Sequence, residues 1–279
     1  IKFSDPESQR YRDPPDDRIS VLRCDVIKKT LTPLLLSKSR FVSGLQCHKL
    51  LWWQVHEPDA EELEPDQGNE YLALQGLHVG RVAAGLFPNG RLIESPHANA
   101  KIAATWQALE EEAPVVFEAS FEADGVFVAV DVLERDGDAF DVIEVKSTTS
   151  TRAEHVQDLA IQIHVIRQNG LKVNRAEVMH LNKDYRHPDL GELFERRDLT
   201  EDVDQYMPLV EDEIGRQLAM LSGPLPNKAI GLQCYMPQVC PFKARCWPDV
   251  PNHISTLYNA GAKKTCSYMQ QGVNTIADL

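Results

Sequence analysis

The chain has 279 residues, 43% hydrophobic and 25% charged, an ordinary globular composition sufficient for one large or two small domains. It has no run of about 18 apolar residues to span a bilayer, and the start "IKFSDPESQRYRDPPDD" lacks the apolar centre of a signal peptide, so a cytoplasmic protein without a membrane partner is expected. The net charge of −13 disfavours attraction of nucleic acid to the molecule as a whole, but screening over roughly 8 Å leaves room for a local basic groove.

Residues 1–36 are polar and Pro-rich ahead of "VLRCDVIKKTLTPLLL", and they read as an arm or linker. Because the first residue is Ile and the last segment stops in mid-pattern, a fragment of a longer polypeptide is expected. Residues 37–56 read as one helix, with Ser37 or Ser39 as N-cap. The acidic "EPDAEELEPD" reads as a solvated loop; a second helix runs from about Gln67 to Phe87, ended by "PNG", and a third covers "HANAKIAATWQALEEE".

Three strands follow, "PVVFEASFEA", "GVFVAVDVLE" and "AFDVIEVKST", separated by the turn formers "DG" and "DGD". Residues 153–168 then read as a helix with Val156, Leu159, Ala160, Ile163 and Ile166 on one face, and "NRAEVMHLN" as a strand. The order helix, three strands, helix, strand predicts an α+β core with a mixed sheet. A long helix covers 201–222, and the Pro-rich "CYMPQVCPFKARCWPDVP" is too short to hold itself together by apolar packing.

The third strand carries Glu144 and Lys146 among its valines. Alternation places Phe127, Ala129, Asp131 and Leu133 on one face of the second strand, and Phe140, Val142, Glu144 and Lys146 on one face of the third. With Gly137 and Asp138 as a type II′ loop, Asp131 faces Glu144 directly; with Asp136 and Gly137 as the loop they are diagonal neighbours. Like charges roughly 5 Å apart across a strand pair are destabilising, and a divalent cation removes the conflict. Oxygen ligands suit Mg²⁺, and an added imidazole leans toward Mn²⁺. Lys146 can then orient or activate a water, or stabilise developing charge. The bland alternative is a solvated face carrying two accidental carboxylates.

Asp131 followed by Glu144-Val145-Lys146 resembles the D...(D/E)xK signature of the PD-(D/E)XK nuclease superfamily, whose restriction-endonuclease-like core has a central mixed sheet flanked by helices. More narrowly it resembles the RecB-like branch, with a His on a preceding helix and a Gln on the helix after the ExK strand; His78 in "LQGLHVGRVA" and Gln162 in "DLAIQIHVI" match. The resemblance implies an ion bound by His78, Asp131, Glu144 and the Val145 carbonyl, with Lys146 catalytic and Gln162 supporting the site or substrate. One departure is Ile166, where the family often has Tyr. His155, His164 and His180 are assigned structural or surface roles.

Six cysteines in a cytosolic chain point first to metal ligation. Cys234, Cys240 and Cys246 follow a C-x5-C-x5-C spacing, and a metal centre needs a fourth ligand. The chain resembles the iron-sulfur subgroup of RecB-like nucleases, which includes the CRISPR-associated Cas-four-type exonucleases and the AddB nuclease domain, over about residues 37–248. That resemblance implies a four-iron, four-sulfur cluster on Cys47, Cys234, Cys240 and Cys246, with a structural job. Zn²⁺ is the alternative for four thiolates. Cys24 and Cys266 are read as ordinary residues.

The segment "LYNAGAKKTCSYMQQGVNTIADL" resembles a helix-hairpin-helix repeat, with Lys263 and Lys264 near a turn; a plain helical connector to a further domain or protein partner is the alternative. Three units are thus expected: an arm at 1–36, a nuclease domain at 37–250 and a connector at 251–279. The leading reading is a metal-dependent DNA nuclease, an exonuclease on DNA ends or single strands, with Lys38, Arg40, Arg152, Lys263 and Lys264 as candidate DNA contacts. The alternative is a non-catalytic nucleic-acid-binding or assembly module that keeps the fold.

Overall fold

The computed structural model describes residues 36–65, 67–187 and 192–279. The arm expected at 1–36, apart from its last residue, and Cys24 lie outside the described residues. The described chain enters through a two-residue strand, β1 (Leu36–Ser37), and two helices, α1 (Lys38–Gln46) and α2 (His48–His56). One helix was expected over this stretch. Cys47 divides it by taking an extended conformation at φ −164° and ψ 121°, while its N–H still donates to the Ser43 carbonyl at 2.9 Å.

Next come α3 (Gln67–Ala84), β2 (Arg91–Leu92) and α4 (Ala98–Glu110). An antiparallel meander follows: β3 (Val115–Ala123), β4 (Val126–Asp136) and β5 (Ala139–Lys146). The crossover helix α5 (Ala153–Gln168) leads to β6 (Val173–Leu181), which lies parallel to β5. A strand not read from the sequence, β7 (Phe194–Asp198), closes that edge antiparallel to β6, and α6 (Thr200–Leu221) returns across the sheet. Among the described residues the mixed sheet has seven strands, ordered β2-β3-β4-β5-β6-β7 with β1 beside β4. This is the α+β architecture expected, a mixed sheet flanked by helices in the helix, three-strand, helix, strand order. Past α6 the chain forms short turns, α7 (Lys243–Cys246) and α8 (Gly261–Gln270). Among the described residues no helix is long and apolar enough to cross a membrane.

The sheet is buried on both faces, unequally. On one side Val128, Val130, Leu133, Val142 and Val178 pack against Leu159, Ile163 and Ile166 of α5, with Phe41, Leu51 and Ile214 from other helices. Each such side chain contributes roughly 1.5–3 kcal/mol by leaving water. On the other side Val115, Phe117, Val132, Ile143 and Met179 meet Ala83 of α3 in a smaller cluster.

The β4–β5 hairpin sets the site. Gly137 opens its loop at φ 63°, as a type II′ turn requires, and the pairs run from Asp136↔Ala139 to Val132↔Ile143. The next pair in that register is Asp131 and Glu144, where the ladder ends. On the other side of β4 the pairing with β3 also lapses, at the place where Glu118 would meet Asp131, and Glu118 has a left-handed φ of 55°. One expectation is corrected here: Val126, Val128 and Val130 lie in the same core cluster as Leu133, so alternation slips across Asp131 and Phe127, Ala129, Asp131 and Leu133 do not share a face. The kink at Glu118 breaks the pairing that would otherwise keep β4 in regular pleat.

Candidate active site

Four elements bring charged side chains to the place where β4 and β5 part. In the opened ladder, the Val145 N–H donates to Asp131 Oδ2 at 2.7 Å, so a carboxylate replaces the missing backbone partner. Glu144 is 3% exposed. From α5, Gln162 Nε2 donates to Glu144 Oε2 and to the Asp158 carbonyl, both at 2.8 Å. Lys146 Nζ lies 2.8 Å from Glu144 Oε1 and 2.5 Å from Asp158 Oδ2.

The fourth contribution comes from far back in the chain. β1 pairs in parallel with the start of β4, and Leu36 donates to the Gly125 carbonyl at 3.0 Å. Ser37 then caps α1, its Oγ accepting from the Arg40 N–H at 3.3 Å. Lys38, the first helical residue, is thereby aimed at Glu144, donating to its two oxygens at 2.8 and 2.9 Å. Lys38, a candidate DNA contact, lies among the carboxylates.

The electrostatics are those of an acid pair that cannot comfortably carry both charges. Burial, reinforced by the Glu144 charge, pushes the Asp131 carboxyl up to about 7. Burial alone would raise Glu144 too, but Lys38 and Lys146 outweigh it and hold Glu144 well below the usual carboxylate range. Burial works against the charge on Lys146, yet Glu144 and Asp158 raise its pKa, so it keeps its proton. Gln162 is fully buried, and its Oε1 has no partner among the described residues.

The structure therefore joins Asp131, Glu144, Val145, Lys146 and Gln162, brings Lys38 to them as a partner of Glu144, and adds Asp158, which sequence reasoning missed. Asp158 was open to detection, since it stands one helical turn before Gln162 on the same face. His78 lies exposed on α3, and among the described residues no hydrogen bond or ion pair links it to the carboxylates. Arg152 N-caps α5, its N–H donating to His155 Nδ1 at 3.2 Å, and its side chain is 58% exposed. Arg40 reaches the Gln54 carbonyl at 3.5 Å, and Lys263 and Lys264 belong to α8. His164 pairs with Asp124 at 2.9 Å, and Ile166 is buried in the core.

A second cluster lies beyond the far end of α1. Cys47, Cys234, Cys240 and Cys246 line one small cavity with Leu50 and Trp53. The cysteine segment is fastened there: Gln46 Nε2 donates to the carbonyls of Gln233 and Gln238 at 2.8 Å each, and Trp53 packs on Phe242 with ring centroids 5.1 Å apart. Burial pushes the Cys240 thiol up to about 11 and raises Cys246 as well. Cys266, buried on α8, is raised by burial and then by Cys234. Among the described residues no three His, Cys, Asp or Glu side chains form a ready-made single-ion site.

No protein-family model and no curated protein matches the chain. Solved structures do match, at low identity. The alkaline exonuclease LHK-Exo from Laribacter hongkongensis is 14% identical with a TM-score of 0.42, the match covering 71% of this chain and 92% of that one. LHK-Exo in complex with dAMP matches at 12% and 0.39, over 68% and 88% of the two chains. SSO0001 matches at 13% and 0.36, over 82% and 95%.

Proposed function

We propose that this chain is a metal-dependent DNA nuclease that hydrolyses phosphodiester bonds as an exonuclease on DNA ends or single strands. The observation that carries this reading is the meeting of Asp131, Glu144 and Lys146 where two paired strands separate. Oxygen donors of this kind suit Mg²⁺ or Mn²⁺. Asp131, Glu144 and the Val145 carbonyl would hold the ion, with His78 the further ligand that the family resemblance implies. The fit is supported by the unpartnered Gln162 Oε1 beside Glu144 and by an Asp131 that resists ionising until positive charge arrives. When bound, such an ion polarises a phosphoryl oxygen and makes water a better nucleophile.

The side chains have separate tasks around it. Lys146, held on one side by Glu144 and on the other by Asp158, presents a fixed ammonium that can orient a water or meet the charge developing on the phosphate. Gln162 locks the Glu144 carboxylate by donating to it from within the core. Asp158 keeps Lys146 in place and protonated. Arg40, Arg152, Lys263 and Lys264 are the basic groups assigned to DNA backbone contacts.

The same proposal places a four-iron, four-sulfur cluster on Cys47, Cys234, Cys240 and Cys246, with Zn²⁺ the alternative. Four thiols around one cavity suit thiolate ligation, and burial that disfavours a bare thiolate is relieved by a bound cation. Closing a loop of roughly 200 residues would constrain the unfolded chain, so its task is structural.

The test is cleavage of labelled single- and double-stranded DNA with Mg²⁺ or Mn²⁺ by the full chain, Glu144→Ala and Lys146→Ala. The unaltered protein is expected to cut and each variant to lose at least ~100-fold. Equal cutting by all three refutes the assignment, and zinc without iron on elemental analysis removes the cluster.

A further inference from the structure

Glu144 is fully supplied with donors. A carboxylate offers about four lone-pair positions. Lys38 Nζ approaches both oxygens, at 2.8 and 2.9 Å, Lys146 Nζ lies 2.8 Å from Oε1, and Gln162 Nε2 donates to Oε2 at 2.8 Å. A divalent ion that reaches Glu144 must therefore displace one of them.

The three donors differ in what else holds them. Gln162 is fully buried and also tied to the Asp158 carbonyl. Lys146 is tied to the Asp158 carboxylate. Among the described residues the Lys38 ammonium hydrogen-bonds to Glu144 alone, and Asp131 and Asp158 act on it only through their charge. It also sits on the first residue of α1, where the positive end of the helix dipole disfavours a cation. Its backbone, by contrast, is pinned by the β1–β4 pairing and the Ser37 cap, so the side chain can leave while its anchor stays. Lys38 is the donor that yields.

We infer that Lys38 is an exchangeable internal counter-ion: it holds the acid pair together in the metal-free protein and competes with Mg²⁺ or Mn²⁺ for Glu144, so that it sets the affinity of the site. The inference rests on the metal-dependent reading above. It makes Lys38 a positioning residue whose removal strengthens metal binding, the reverse of what loss of a ligand or of a merely structural ion pair does.

The test is Mn²⁺ titration by calorimetry of the unaltered chain, Lys38→Met and Asp131→Asn. Lys38→Met is expected to bind Mn²⁺ about tenfold more tightly and Asp131→Asn to lose binding. A second measurement needs no variant to fold: amine-reactive labelling of Lys38 in the unaltered protein, read by mass spectrometry, is expected to be low in chelator and to rise along the Mn²⁺ isotherm. Equal or weaker Mn²⁺ binding by Lys38→Met, or Lys38 labelling unmoved by Mn²⁺ that binds, overturns the inference while DNA cleavage by the unaltered chain leaves the nuclease reading standing. If neither the unaltered chain nor Lys38→Met binds Mn²⁺, the metal reading falls and this inference falls with it.

Discussion

Replacing Asp131 by Asn is expected to stabilise the metal-free protein, and to do so more in alkaline than in acidic solution. The folded carboxyl sits up at about 7, against an ordinary 3.8, because it is partly withdrawn from water beside the Glu144 charge. A raised acid favours folding fully below its unfolded value and loses that contribution as pH climbs through its folded value, so the cost is complete above about 7. Each pKa unit corresponds to about 1.4 kcal/mol, which puts the ceiling near ~4 kcal/mol, and local relaxation leaves on the order of 2 kcal/mol. Asn keeps an oxygen to accept the Val145 N–H, so the hairpin junction survives the change. The assay is urea unfolding in chelator, followed by tryptophan fluorescence at about pH 5 and about pH 8. The variant should be the more stable protein at both, with the larger margin at the higher pH. Adding Mn²⁺ should reverse the order, because ligand binding stabilises only the protein that retains the site. A variant less stable at alkaline pH, or a margin that ignores pH, would refute the account of an acid pair under electrostatic load.

Asp158→Asn loosens Lys146, and DNA cleavage is expected to fall about tenfold, with a shifted alkaline limb in the pH–rate profile that a purely structural defect would not produce. Gly44→Ala would put a Cβ 2.3 Å from the Gln217 side chain, which is fully buried and donates to the Phe41 carbonyl; a loss of about 1–3 kcal/mol is expected in urea unfolding. Cys240→Ser is expected to abolish bound iron and the brown colour of anaerobically purified protein and to lower its melting temperature, whereas Cys266→Ser should leave iron content unchanged.

The hairpin was legible because its register depends on a local turn. Gly137 and Asp138 make the loop, and once they do, Asp131 and Glu144 must come opposite each other. The slip in alternation across Asp131 was not legible, because its cause is the left-handed backbone of Glu118, in a residue type that does not advertise it. Lys38 was visible as a basic residue but not as a partner of Glu144: a contact across 106 positions depends on β1 pairing with β4, and two residues are too few to show a strand period. The break at Cys47 escaped for a related reason. Nothing in "GLQCHKLL" disfavours helix, and the extended backbone there follows from tertiary packing.

Lys38 opens α1 and Cys47 ends it. The helix between them is nine residues, so it spans about 14 Å, with the acid pair at one end and the thiol cavity at the other. Both ends are held, one by strand pairing and the Ser37 cap, the other by Gln46 and the cysteine segment. Such a helix acts as a rigid strut: a displacement at its thiol end is carried to the backbone from which the Lys38 side chain projects, because a hydrogen-bonded helix resists changing its length. The distance between the acid pair and the thiol cavity is thus set by one helix held at both ends.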